Sequence, residues 1–143
     1  MSIFAVIPAR GGSKGIVRKN LSLISNQPLI GFSIEAAIKS RLIDRVIVSS
    51  DDDEIIKVAK SFGAEVPFKR PDEISSDKTA MIDVLKHAVN FLFEKNEVIE
   101  AIVLLQPTSP LRTSSDIDKF LRHALNGKHD SVVSISHNNI PSY

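Results

Sequence analysis

Short apolar runs and longer amphipathic segments alternate along the whole chain. The run at 3–7 (Ile-Phe-Ala-Val-Ile) is apolar at every position, as a strand covered on both faces would be. Across 28–40, Leu29, Ile30, Phe32, Ile34, Ala37 and Ile38 recur at helical spacing and predict a helix with a broad apolar face. A second strand is predicted over 45–49, rich in β-branched residues. A second helix follows over 52–62, opened by acidic residues and closed by Gly63. Then come a short strand at 65–68 and a long helix over 78–95, with Ile82, Leu85, Ala88, Val89 and Leu92 on one face. The strand at 99–105 is the most apolar and is expected at the centre of the sheet. A helix over 115–126, ended by Gly127, and a strand over 131–135 complete the pattern.

Strict alternation of strand and helix predicts an α/β fold with a mainly parallel sheet. Right-handed crossovers would set helices on both of its faces. Ligands in such sheets bind outside the carboxyl ends of the strands, which gathers the loops 8–20, 50–53 and 106–112 into one region. No internal repeat or low-complexity stretch interrupts the pattern.

Composition narrows the function classes. At 143 residues the chain fits one domain, and 43% apolar with 24% charged residues is ordinary for a globular protein. A net charge of +1 gives no field suited to nucleic acid. No apolar run is long enough to cross a membrane, and the first residues lead straight into a strand without a leader-like segment. Without cysteine there is neither a disulfide framework nor a thiolate metal site. These features predict a cytoplasmic protein with no membrane or nucleic-acid partner. The polar stretch 137–142 does not look like a domain end, so a longer parent protein is expected.

The positive charge that matters is local. After the first strand, Pro8 opens a loop holding Gly11, Gly12 and Gly15 together with Arg10, Lys14, Arg18 and Lys19. Glycines let backbone N–H groups approach phosphate oxygens, and the cations offset phosphate charge. The spacing matches neither a Walker A loop nor a Gly-x-Gly-x-x-Gly dinucleotide loop. Ser13 adds a hydroxyl donor, and Asn20 offers both a donor and an acceptor to a base or ribose. Arg18 reads equally well as a solvated surface charge.

Three further segments would join this loop at the strand ends. In Ser49-Ser50-Asp51-Asp52-Asp53, three consecutive carboxylates could hold Mg²⁺, but Asp52 and Asp53 better suit helix capping, and Asp51 is left open as a cleft residue. Arg70 has no capping role and could face a ligand, while Ser76 or Asp77 would cap the long helix. In Leu105-Gln106-Pro107-Thr108-Ser109-Pro110-Leu111-Arg112, Gln106 would point into the cleft and Arg112 would reach an anionic ligand or cap the loop, with Ser114 or Ser115 capping the next helix. His87 and His123 fall within helices and read as structural or surface residues.

The segment Ile7-Pro8-Ala9-Arg10-Gly11-Gly12-Ser13-Lys14-Gly15 with Lys19-Asn20 resembles the signature of the acylneuraminate cytidylyltransferases, the CMP-sialic acid synthetases. The likeness continues, in order, at Val48-Ser49-Ser50-Asp51, Arg70-Pro71-Asp72-Glu73, Ser76-Asp77 and Leu105–Arg112. It implies a Rossmann-like nucleotidyltransferase fold. It also implies the reaction of CTP with a nonulosonic acid to give the CMP-sugar and pyrophosphate, with Mg²⁺, in a full-length enzyme that is a homodimer. Pseudaminic and legionaminic acids are alternative sugars, and a non-catalytic nucleotide-binding module is the alternative of a different class. By resemblance, Arg10, Ser13, Asn20 and Arg70 would contact the nucleotide, Lys19 would support the transferring phosphate, and Gln106 would lie near the sugar acid. The family's metal-binding aspartates lie near the end of a full-length enzyme and match nothing in 1–143, so no metal ligand is assigned. Met81 stands near a position where many relatives carry a hydroxyl, and Thr79 is the candidate substitute.

Overall fold

The computed structural model describes residues 2–127 and 129–135. The chain enters as β1 (Ser2–Pro8), whose residues from Ile3 onward are buried. Its alternating side chains feed two apolar layers. Ile3, Ala5 and Ile7 pack in one core with Ile30, Ile34, Ile55, Ala59, Ile117 and Leu121. Phe4 lies on the opposite face with Ile47 and Leu92.

A tight hairpin follows the first loop: β2 (Leu23–Ile24) pairs antiparallel with β3 (Gln27–Pro28). Ser25 and Asn26 between them both adopt positive φ, 48° and 65°, as a two-residue hairpin turn of the favoured hand requires. The two-residue strands are too short to leave a periodic trace in the sequence. Helix α1 (Leu29–Ile38) buries Ile30, Ile34 and Ala37 on the first core. It leads to β4 (Arg45–Ser49), which pairs parallel with β1. Helix α2 (Asp53–Ser61) is capped by Asp52, whose Oδ1 accepts the Glu54 and Ile55 amides at 3.0 and 2.9 Å. Asp53 does not cap; it is the first helical residue and pairs with Lys69 at 2.8 Å. Gly63, at φ +91°, closes this helix in the left-handed conformation that glycine adopts without strain.

The expected strand at 65–68 is reduced to one parallel bridge between Ile47 and Glu65. Pro67 lacks the N–H that would extend the ladder. Helix α3 (Met81–Glu94) begins three residues later than expected, and neither Ser76 nor Asp77 caps it. Ser76 instead turns the chain, its Oγ accepting the Lys78 amide at 3.2 Å, and Asp77 is drawn to Lys14. Strand β5 (Ile99–Leu104) pairs parallel with β1, so the strand order is β4-β1-β5. The centre is therefore β1 rather than the expected 99–105. Both strands are apolar, but β1 is bonded on both edges while the outer edge of β5 has no strand beside it among the described residues.

Helix α4 (Ser114–Asn126) starts at a capping box in which Thr113, not Ser114 or Ser115, exchanges bonds with Asp116. Residues 131–135 form no strand: Val133 and Ile135 are 79% and 86% exposed, and alternation alone makes no strand without a ladder partner. The α/β architecture with parallel main strands is as expected. Helices α1, α2 and α4 contribute to the core on one face, and α3 covers the other through Leu92. Among the described residues no helix is long and apolar enough to cross a membrane.

Two polar clips tie the layers. Arg45, stacked 5.0 Å from the centre of the Phe4 ring, bonds Glu65 through two nitrogens at 2.8 and 2.6 Å and also bonds Glu97. Buried Asp118 on α4 accepts the Ser40 hydroxyl at 2.5 Å and the Arg41 amide at 3.1 Å, closing the end of α1. These bonds, the Ser40 one first, hold the Asp118 carboxyl below the usual aspartate range. A depressed carboxyl stabilises the fold above its unfolded pKa, and that contribution is lost as pH falls through the folded value. Asp118→Asn is thus expected to lower stability at neutral pH by about 1–3 kcal/mol. The gap from the parent should narrow below about pH 4, where the unfolded carboxyl begins to bind its proton. Urea midpoints across pH check both parts.

Candidate nucleotide site

The chain passes from β1 to β4 on one side and later returns to β5 on the other side of β1. The crevice above the carboxyl ends of β1 and β5 is therefore the point where the strand order reverses, the usual ligand position in open parallel sheets. A cleft of about 510 Å³ opens there. The first loop supplies Arg10, Ser13, Lys14, Gly15, Lys19 and Asn20 to its wall. Arg70 and Met81 enter from one side, and Gln106 and Thr108 from the loop after β5.

Local structure places each cation. Arg18 sits at φ 51° before a 3-10 turn, Lys19–Leu21, and its guanidinium is held by Asp52 at 3.0 Å and Glu54 at 2.8 Å. This pairing turns Arg18 away from ligand duty, as the surface-charge reading allows. Asn20 is buried, and its Nδ2 donates to the Arg10 carbonyl at 3.1 Å, drawing the two ends of the loop together. Lys14 pairs with Asp77 across the mouth, and that contact holds the Asp77 carboxyl below its usual range. Among the described residues, Arg10 and Lys19 have no ion-pair partner. Arg70 is 4% exposed and bonds neutral groups only: its Nε donates to the Ser49 hydroxyl at 3.1 Å and Nη2 to the Ser49 carbonyl. Desolvation pulls the Arg70 pKa down, opposed by nearby Asp51 and reinforced by Arg10. The cleft thus holds cations whose charge no carboxylate has neutralised.

Four of the residues singled out from sequence do not line this cleft: Gly11, Gly12, Asp51 and Arg112. Gly11 is pressed against the β4–α2 turn, where an added Cβ would lie 2.7 Å from Asp52 Oδ2. The Gly11 amide donates to Asp51 Oδ1 at 2.9 Å. Around Gly12 and Gly15, by contrast, an added Cβ would meet nothing within 4 Å. Gly11→Ala must push the loop off Asp52, at an expected cost of about 1–3 kcal/mol. The expected readout is a loss of stability greater than that from Gly12→Ala, measured by urea midpoints.

Arg112 borders a second hollow of about 580 Å³ on the outer side of β5, which shares Gln106 and Thr108 with the first. Its Nη2 donates to the Gln106 carbonyl at 3.2 Å, while Nη1 is buried with no hydrogen-bond partner among the described residues. Burial lowers the Arg112 pKa. Ser49 escaped the sequence reading as a site residue, although the Ser-Ser pair ending an apolar strand is the signal that could have marked it. Of the three consecutive aspartates, Asp51 serves Gly11, Asp52 caps α2 and Asp53 meets Lys69. Among the described residues no group of three or more carboxylates or imidazoles could hold a metal ion.

Comparison with known proteins points to one family. An N-acylneuraminate cytidylyltransferase of Escherichia coli O18:K1:H7 is 38% identical over 141 residues, 98% of this chain and 32% of that protein. A pseudaminic acid cytidylyltransferase of Campylobacter jejuni (serotype O:2) is 42% identical over 111 residues, 78% of this chain and 48% of that protein. The chain thus spans about a third to a half of the length of these relatives. Among solved structures, CMP:2-keto-3-deoxy-manno-octonic acid synthetase complexed with CTP superposes with a TM-score of 0.70 at 25% identity, covering 88% of this chain and 48% of that one. The profile of the family described as cytidylyltransferase matches residues 4–140, and by that match the chain belongs to the cytidylyltransferase family.

Proposed function

We propose that the protein activates a sialic-acid-like nonulosonic acid, converting CTP and an acylneuraminate into the CMP-sugar and pyrophosphate. The observation that carries this reading is the cleft at the strand-order reversal, walled by a glycine loop and by Arg10 and Lys19, which have no ion-pair partner among the described residues. A triphosphate supplies the missing negative charge. The E. coli relative, named for the same reaction, supports the choice of base and sugar class.

The anomeric hydroxyl of the sugar attacks the α-phosphorus, the bond to the bridging oxygen breaks, and pyrophosphate leaves. Charge grows on the leaving phosphates, so catalysis rests on positioning and electrostatic stabilisation. In this reading Arg10, Lys14 and Lys19 offset that charge, with Lys14 exchanging Asp77 for phosphate. Gly15 and Ser13 offer donors to the phosphate oxygens, and Asn20 keeps the loop closed around them. Gln106 and Arg112 belong to the sugar side, since the two hollows meet at Gln106. Mg²⁺ would enter as a companion of the triphosphate and offset part of its charge.

The test is pyrophosphate release by the protein supplied with CTP, Mg²⁺ and a panel of nonulosonic acids. Release with N-acetylneuraminic acid supports the proposal. Release only with pseudaminic or legionaminic acid favours the second reading, which the C. jejuni relative supports. CTP binding without release for any acid would make the protein a nucleotide-binding module.

A further inference from the structure

The carboxyl end of β4 carries an unusual load of buried polar groups. Ser49 and Ser50 are both 0% exposed, at the end of a strand whose preceding residues are apolar. Buried polar atoms are costly unless bonded. The Ser50 hydroxyl accepts the Asp52 amide at 3.1 Å within the turn, and the other side-chain and carbonyl bonds lead to the first loop or to Arg70. The Ser49 carbonyl accepts the Ala9 amide at 2.9 Å, at the entry to the first loop, and also the Arg70 guanidinium. The Ser49 hydroxyl accepts Arg70 Nε at 3.1 Å. The Ser50 carbonyl accepts the Arg70 amide at 2.7 Å. Asp51 accepts the Gly11 amide at 2.9 Å. Yet neither Ser49 nor Asp51 lines the cleft.

We propose that Ser49 and Asp51 are positioning residues: together they hold Arg70 and the glycine loop at one fixed separation, and so set the affinity for the triphosphate without touching it. The inference rests on the nucleotide reading of the cleft and deepens it. Toward the loop Asp51 acts as a directed acceptor, because its Oδ1 meets a backbone N–H, while its charge acts on Arg70. The two residues divide the work, Asp51 holding the loop and Ser49 holding Arg70.

The distinction gives opposite predictions for two mild substitutions. Asp51→Asn keeps the oxygen in place and removes the charge, whereas Asp51→Glu keeps the charge and displaces the oxygen. Titration of CTP and of inorganic tripolyphosphate into each variant should show Asp51→Asn within about threefold of the parent and Asp51→Glu weaker by about tenfold or more. Both ligands should lose affinity in the same proportion, since the loop serves phosphate. Ser49→Ala should weaken both by about five- to tenfold by leaving Arg70 Nε unbonded.

Amide hydrogen exchange of Gly11 supplies a readout without any ligand. It should accelerate about tenfold in Asp51→Glu and stay near the parent value in Ser49→Ala. A parent-like affinity in both Asp51→Glu and Ser49→Ala would overturn the proposal, as would a larger loss in Asp51→Asn than in Asp51→Glu. If the parent binds neither CTP nor tripolyphosphate, the nucleotide reading fails and the affinity role with it, while the exchange data still report whether Asp51 holds the loop.

Discussion

Lys19→Ala is expected to lower turnover about 100- to 1000-fold while the protein stays folded. Lys19 reaches the cleft from a 3-10 turn that Arg18 anchors through Asp52 and Glu54, so its position does not depend on its own charge. Among the described residues it has no ion-pair partner, so deleting it orphans no carboxylate. In the proposed reaction the loss therefore falls on the transition state, where phosphate charge grows, rather than on the fold. Lys14 differs: its pair with Asp77 must be given up before it meets phosphate, so Lys14→Ala is expected to cost less. Steady-state kinetics of pyrophosphate release separate the two. Lys19→Ala should fall mainly in kcat, and an unchanged kcat would remove Lys19 from the chemical step.

Phe4→Ala is expected to cause the largest loss of stability, about 3–5 kcal/mol. Phe4 is fully buried between Ile47 and Leu92, and its ring also backs Arg45. The truncation leaves a cavity under α3 and removes the stacking surface of the clip that bonds Glu65 and Glu97. Against a typical total of about 5–15 kcal/mol, such a loss leaves little margin. Guanidinium denaturation measures it directly. A change below about 1 kcal/mol would mean that the second core layer is not closed as described.

The parallel strands of the sheet and all four α-helices were legible because burial on two faces leaves unbroken apolar runs, and one-sided burial leaves helical spacing. The centre of the sheet was not legible. Apolar content reports burial on the faces, while bonding on both edges is what makes β1 central. The strand at 65–68 failed at Pro67, and the start of α3 was misplaced because Asp77 is claimed by Lys14, a contact between segments more than sixty residues apart. Residue type brought Arg10, Lys19, Arg70 and Gln106 to notice, and all four line the cleft, since glycines and cations at a strand end carry their chemistry with them. It could not distinguish residues that face the cleft from residues that hold it. Asp51, Asn20 and Ser49 bond to backbone or guanidinium groups whose partners lie 40, 10 and 21 residues away.

The central claim is that the cleft between the first loop and the loop after β5 takes the nucleotide. Its most direct test is a residue-resolved amide chemical-shift map of the isotopically labelled chain titrated with CTP. The account predicts that the shifted amides cluster at Gly11 to Asn20, Arg70 and Gln106 to Thr108, with Arg112 to Phe120 little affected. Shifts centred on the outer side of β5 and α4, or none at saturating CTP, would contradict it.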